Sequence, residues 1–318
     1  MGGHLGGEPS VQWREMSTDT SPPAGRSRRS VRRDSAQGLL RWGRTALWAT
    51  LDPLEGAERA RERVADLRPR RRRRSEIEPQ YRWEPALDAL LTDPRSCRYQ
   101  DGFASVWSRS LRALAAQGVE VGRSAYCGWD DADRGLARAA WCLVRYLRPL
   151  KVVETGVARG LTTSIVLQAL EINGAGDLFS VDLPPSIDRH RFTDQTAAAV
   201  PEGLKGRWTL VRGSSRRRLP GLLETLGTID LFIHDSLHSH RNMSFELTEA
   251  WRALRPGGFL LADDVHRNSA FAEYAGRVRP ARVLCCPSDD GQGMFGMIEK
   301  PGSPVDDHER ATLDGEEA

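Results

Sequence analysis

The stretch Val152–Gly160, VVETGVARG, limits what this chain can fold into more than any other. A short β-branched run predicts a strand. The glycines after it predict a turn where a ligand can approach the backbone. A helical pattern follows, and its first turn offers free N–H groups to a polar ligand. Together they point to a nucleotide-like cofactor. The acids Asp182, Asp235 and Asp263–Asp264, at later predicted strand ends, say which one.

The pattern around this stretch alternates. Strands are predicted at 151–154, 178–182, 207–212, 230–235, 258–263, 281–286 and 293–299, with helices at 162–172, 216–226, 242–254 and 267–277 between them. Two more helices precede the first strand, at 102–117 and 133–147. In the second, Leu136, Ala140, Leu143, Val144 and Leu147 form a helical stripe, and Pro149 stops it. Alternating elements imply a doubly wound, Rossmann-like α/β fold with a seven-stranded sheet, mostly parallel. The last two strands leave no room for a helix, and Ser288–Gly293 (SDDGQG) reads as a hairpin turn, so the last strand is antiparallel. Pro256-Gly257-Gly258 is read as ending a helix and turning into the fifth strand.

Charge divides the chain. Residues 1–80 carry 17 Arg and no Lys against 11 acidic residues, a net of about +6, in a chain whose total is +3. The remainder is mildly acidic. Four segments are expected: a disordered Arg-rich extension over 1–80, with order beginning near Tyr81; a helical cap or substrate region over 81–132; the catalytic domain over 133–300; and a disordered acidic tail over 301–318. Within the extension, residues 38–54 predict a short amphipathic helix with Leu40, Leu47, Trp48 and Leu51 on one face. It rests on its own protein, or on a membrane surface or partner. The run Arg70–Arg74 reads as a solvated tail, with contact to nucleic acid or an acidic surface as the alternative. Five Cys without C-x-x-C spacing suit reduced thiols in a cytoplasmic protein. There is no run of 18 apolar residues, and Met1–Ser10 lacks a secretory signal pattern.

Ligands of such sheets bind at the carboxyl ends of the strands. Here those ends are all polar: Glu154 to Gly160, Asp182, Gly213-Ser214-Ser215, His234-Asp235 and Asp263-Asp264. An acid at Asp182 can accept both ribose hydroxyls, and small residues at 213–215 can flank a flat adenine. Thr162 is read either as a contact to the cofactor carboxylate or as a helix cap.

On these residues the chain resembles class I S-adenosylmethionine-dependent methyltransferases over about Asp133–Lys300. VETGVARG resembles their first glycine motif, and Asp182 their ribose-binding acid. Within that class it is most similar to the cation-dependent, catechol O-methyltransferase-like branch and its bacterial sugar and natural-product relatives. The resemblance implies S-adenosylmethionine at Glu154, Gly156, Gly160, Thr162, Asp182, Ser214, Ser215 and Asp235. It implies Mg²⁺ at Asp235, Asp263 and Asp264, with Asp where the catechol type has Asn at the last position. The family's catalytic Lys falls at His238. An alkyl hydroxyl is a weak nucleophile, a cation lowers its pKa, and a histidine can take its proton. His238 is therefore the expected base beside Asp235, and the acceptor is expected to be a small-molecule hydroxyl on a sugar, polyketide or phenol.

Alternatives stay open at this stage. The first is a metal-independent methyltransferase using His238 on oxygen or nitrogen. A zinc site at His234, Asp235, His238 and His240 is another, although adjacent strand residues 234 and 235 should point apart. A nucleic-acid or membrane-associated protein and an NAD-linked oxidoreductase complete the set. Acceptor contacts are expected from Tyr126–Asp131, with Trp129 stacking, and from His266, Arg267 and Asn268. Homo-oligomerisation is possible in this fold.

Overall fold

Val152 and Val153 in the first strand face opposite ways, into two separate apolar clusters. Both faces of the sheet are therefore buried, as in parallel sheets flanked by helices. The computed structural model describes residues 43–67, 102–122, 124–129, 131–288 and 293–302. The seven strands are β1 Lys151–Thr155, β2 Asp177–Asp182, β3 Trp208–Arg212, β4 Ile229–His234, β5 Leu254–Ala262, β6 Arg282–Pro287 and β7 Met294–Glu299. Their order is β3-β2-β1-β4-β5-β7-β6. Pairs from β3 to β5 are parallel, and β7 runs antiparallel between β5 and β6.

The helices are α1 Pro53–Leu67, α2 Phe103–Ala116, α3 Arg134–Leu147, α4 Leu161–Asn173, α5 Arg189–Asp194, α6 Ser215–Leu226, α7 His240–Ala253 and α8 Ala270–Val278. Leu143 of α3 and Ile165 of α4 cover one face with Leu178, Leu231 and Leu261. Leu219 of α6, Leu247 of α7 and Phe271 of α8 cover the other with Phe232, Leu260 and Ile298. Asp133 caps α3 by accepting from Leu136 N, and Ser239 caps α7 by accepting from Asn242 N. Both are the short polar residues that satisfy free helix N–H groups.

Three local expectations are corrected. Helix α7 stops at Ala253, and Pro256-Gly257-Gly258 lies inside β5, not in a turn before it. The register of β4 and β5 shifts there, between Ile229 and Leu231, which accommodates the Pro-Gly-Gly run. Helix α8 begins at Ala270, not 267, because the Asn268 side chain accepts from Ala270 N and fixes the turn before it. Order also begins well before Tyr81. Residues 44–51 and α1 are helical, Trp48 is buried, and Arg189 stacks over its ring at 5.2 Å. Of the predicted apolar face, Leu47 and Leu51 are exposed. The acidic face of this segment meets the basic starts of α6 and α7: Asp52 pairs with Arg217 at 2.6 Å and Glu58 with Arg241 at 2.8 Å. The turn residues 289–292, the run Arg70–Arg74, Leu40 and the acidic tail from 303 lie outside the described residues. No described helix is long and apolar enough to cross a membrane.

Gly156 fixes how closely β1 and β4 end together. Its φ is +88°, and a Cβ there would sit 1.9 Å from the Asp235 carbonyl oxygen. The glycine is needed for the protein's own backbone, more than for the approach of a ligand. Gly156→Ala should cost about 3 kcal/mol or more, from overpacking plus left-handed strain. Chemical denaturation measures this; a loss below about 0.5 kcal/mol, the level of a neutral surface change, would show that the β1 and β4 ends can part without penalty.

Candidate active site

Every parallel strand ends at the same edge, and the acids expected there converge. Glu154 is fully buried. Its Oε2 accepts from Thr163 Oγ1 at 2.9 Å and from Ser180 Oγ at 2.7 Å, while Oε1 has no partner. Burial pushes its pKa up to about 7, although these two hydroxyls oppose the shift. Asp182 Oδ1 accepts from Val157 N at 2.9 Å and more weakly from Ala158 N, so the acid holds the glycine turn. Its Oδ2 is buried and unpartnered, and burial raises this carboxyl as well.

The expected cofactor residues divide between loop and helix starts. Gly156 and Gly160 bracket the turn after β1, both at positive φ. Thr162 lies half-buried in the first turn of α4, where Gly160 occupies the cap position, so Thr162 is not the cap. Its neighbour Thr163 is the residue that reaches Glu154. Ser214 stands at the start of α6 and accepts from Arg217 Nε at 3.1 Å; Ser215 Oγ donates to Asn242 Oδ1 at 3.4 Å.

Asp235, His238, Asp263 and Asp264 meet beyond β4 and β5. His238 Nε2 lies 3.8 Å from Asp235 Oδ1, 3.9 Å from Asp263 Oδ2 and 3.7 Å from Asp264 Oδ2. One donor atom each from Asp235, His238 and Asp263 falls within 4.8 Å of the others, close enough to share a cation. Of the expected ligand set, Asp264 is placed differently: its Oδ2 takes Arg267 Nε at 2.6 Å. Asp264 also sits at φ +52°, a conformation uncommon for a residue with a side chain. Asp235 and Asp263 are pushed well above the usual carboxylate range, first by burial, then Asp235 by the charge of Glu154 and Asp263 by that of Asp235. Burial holds the His238 imidazole down, at about 3, against the upward pull of Asp264. The ring is neutral at neutral pH, and Nδ1 has no partner.

The four-residue zinc arrangement does not assemble. His234 turns to the other side of the strand and meets Glu246 at 2.5 Å, and His240 pairs with Glu273 at 3.0 Å. The acceptor-side residues do gather. Trp129 lies 6.5 Å from His238 between ring centroids, and the Arg267 guanidinium stands over Trp129 at 5.6 Å. His266 Nδ1 is 3.8 Å from Asp264, and Asn268 donates to the His238 carbonyl. Asp130 lies outside the described residues.

Sequence reasoning missed two groups. Arg159, a middle residue of the glycine motif, is buried. It pairs with Asp131, donates to Gln195 and the Ala125 carbonyl, and stacks on Tyr126 at 5.4 Å and Phe192 at 5.9 Å. It thereby pins the Trp129 segment to the cofactor turn. Glu246, mid-helix in α7, is also fully buried. Burial alone would raise its carboxyl, but the His234 imidazole and several hydrogen bonds outweigh that and hold it at about 2. An acid at helical spacing reads as solvated surface, so only the fold reveals it.

Residues 153–265 match a family model described as a methyltransferase domain. No curated protein matches the chain. Among solved structures, similarity extends to an O-methyltransferase from Bacillus cereus in complex with SAH, at 16% identity and TM-score 0.45, covering 62% of this chain and 91% of that one. The O-methyltransferase TomG from Streptomyces achromogenes, involved in tomaymycin synthesis and in complex with SAM, is 16% identical at TM-score 0.42, covering 61% and 89%. A methyltransferase from Geobacter sulfurreducens is 19% identical at TM-score 0.41, covering 66% and 99%.

Glu154 generates a stability prediction. An acid whose pKa rises from 4.5 unfolded to about 7 folded favours folding only while protonated, so it destabilises increasingly between those values as pH rises. Glu154→Gln should therefore stabilise the ligand-free protein at pH 8 by up to about 3 kcal/mol, a gain that fades as pH falls toward the unfolded value. Urea denaturation at several pH values tests this, and a pH-independent effect would contradict it.

Proposed function

Taking the methyltransferase domain of residues 153–265 as premise, we propose that the chain transfers a methyl group from S-adenosylmethionine to a hydroxyl oxygen of a small molecule, assisted by a divalent cation such as Mg²⁺. The observation that carries this reading is the set of orphaned buried atoms at one sheet edge. Glu154 Oε1 and Asp182 Oδ2 lack partners on the cofactor side, and Asp263 Oδ1 lacks one on the cation side. Buried polar atoms normally have partners, so atoms left open here suit a polar, positively charged ligand.

Asp182 would hold the ribose hydroxyls, and Ser214 and Ser215 would flank the adenine. The first turn of α4, with Thr162, would receive the cofactor carboxylate on its free N–H groups. Bound there, S-adenosylmethionine supplies the methyl group on its sulfonium. A cation held by Asp235 and Asp263 supplies a charge that lowers the acceptor hydroxyl's pKa. His238 Nε2, 3.8 Å from Asp235 and 3.9 Å from Asp263, would be the group placed to accept the hydroxyl proton. Trp129, held by Arg159 and faced by Arg267, would present a flat surface to a sugar or phenol ring. Alignment for in-line transfer is the remaining contribution of the fold.

The second reading, a methyltransferase without metal, is favoured by one observation. His238 Nε2 lies 3.7–3.9 Å from three carboxylates, close to where a cation would sit. Activity that survives a chelator in full would select it.

Calorimetry with S-adenosylhomocysteine tests the lead reading. Asp182→Ala should weaken binding about 10- to 100-fold, the worth of a lost charge-assisted hydrogen bond. Asp263→Ala should leave that affinity nearly intact and abolish Mg²⁺ binding. A folded wild-type chain that binds no S-adenosylhomocysteine would overturn the assignment.

A further inference from the structure

Asp235 is bracketed. Its neighbours on both sides, His234 and Ser236, bond to one carboxylate, that of Glu246: His234 Nδ1 at 2.5 Å from Oε2, and Ser236 Oγ donating to Oε1 at 2.7 Å. The backbone N–H of Asp235 donates to the Thr155 carbonyl, and the Thr155 hydroxyl donates to Glu246 Oε2 at 2.5 Å. Asn242, one turn before Glu246 on α7, donates to Glu246 Oε1 at 2.8 Å, to Ser236 Oγ at 3.1 Å and to the Leu237 carbonyl at 3.2 Å. One fully buried acid thus ties the end of β1, the end of β4, the loop to His238 and the first turns of α7.

The bracket also reaches His238 directly. The rings of His234 and His238 meet edge to face at 5.5 Å between centroids, with planes at 87°. With Nδ1 of His234 committed to Glu246, the rest of that ring is packed against His238, and its Nε2 is buried without a partner. A core needing only to be filled would not place an ionised carboxylate at zero exposure, because desolvating that charge costs several kcal/mol unless its hydrogen bonds are complete. Here they are complete, and apart from the one with Ser215 at the start of α6 each ends on a residue that flanks or supports the acidic cluster.

We propose that Glu246 is a positioning residue which, through His234, Ser236 and Thr155, sets Asp235 in the geometry that binds a divalent cation and His238 beside it. This rests on the reading of Asp235 and Asp263 as the cation ligands. Outer residues that orient metal ligands typically change metal affinity 10- to 100-fold when mutated. On the cofactor side Ser215 also hydrogen-bonds to Glu246, whereas Asp182 and the glycine turn are not bonded to it and should be unaffected.

The test uses the full chain with Mn²⁺ alone as probe, read by calorimetry and by water-proton relaxation, with S-adenosylhomocysteine binding measured beside it. Glu246→Gln keeps the shape and one acceptor oxygen but removes the charge. It should weaken Mn²⁺ at least about 10-fold while S-adenosylhomocysteine affinity stays within about twofold, and Glu246→Asp should recover part of the loss. Should Glu246→Gln fail to fold, Ser236→Ala and Thr155→Val each remove one arm of the bracket and should weaken Mn²⁺ by a few-fold. Wild-type Mn²⁺ affinity in a folded Glu246→Gln protein, with lowered thermal stability alone, would reduce Glu246 to a structural tie and overturn the proposal. A wild-type chain that binds no Mn²⁺, or an Asp263→Ala variant that binds it unchanged, would instead overturn the cation site on which the proposal stands.

Discussion

The carboxyl edge of the sheet holds more buried negative charge than it neutralises from within. Glu154, Asp182, Asp235 and Asp263 are all pushed up in pKa, each mainly by burial. In Asp235 and Asp263 the charges of neighbouring carboxylates add to the effect. Two other buried acids show the contrast: Glu246 is held low by His234, and Asp131 is paired with Arg159. Three of the raised acids, Glu154, Asp182 and Asp263, keep a buried oxygen without a partner, whereas Glu246 and Asp131 are met by internal partners. A cation entering this edge relieves both the desolvation and the repulsion, so the energetics favour positively charged ligands whatever their identity. A sulfonium and a divalent ion both have that character.

The fold produces this edge by construction. Five parallel strands aim their carboxyl ends one way, so the side chains at and just beyond those ends gather along one edge. Gly156 lets the β1 turn close on the Asp235 backbone, which brings Glu154 and Asp235 into each other's field. Arg159 then anchors the Tyr126–Trp129 segment to the same turn. The 126–129 segment and the ends of β1 and β4 are thus joined through one five-residue turn, 156–160.

Much of this was legible because strands advertise themselves. β-branched and apolar runs such as Leu231–Ile233 need no partner to be recognised, and polar residues at their ends stand out against them. Asp133 and Ser239 cap their helices as short polar side chains do, although the sequence reading singles out only Thr162, which is not a cap. What stayed hidden depends on tertiary pairing. A helix over 38–54 is legible, but the charge-rich residues after it read as an unfolded extension until Asp52 and Glu58 meet Arg217 and Arg241. Thr162 and Thr163 are indistinguishable in sequence, and only the helix rotation shows that Thr163 faces Glu154. The Pro-Gly-Gly run was taken as a turn because a parallel strand seldom tolerates it, and a register shift is what absorbs it.

Asp264 shows how one side chain sets the contacts around it. A neutral amide at that position would leave the arginine three residues later without a charge partner. As a carboxylate it holds Arg267 at 2.6 Å, and Arg267 in turn lies over Trp129. The extra negative charge is therefore answered on the acceptor side, by a guanidinium stacked on an aromatic face. That leaves Asp235, His238 and Asp263 as the compact group able to share a cation. The pairing of Asp264 with Arg267 and the stacking of Arg267 on Trp129 are thus two links of one chain of contacts.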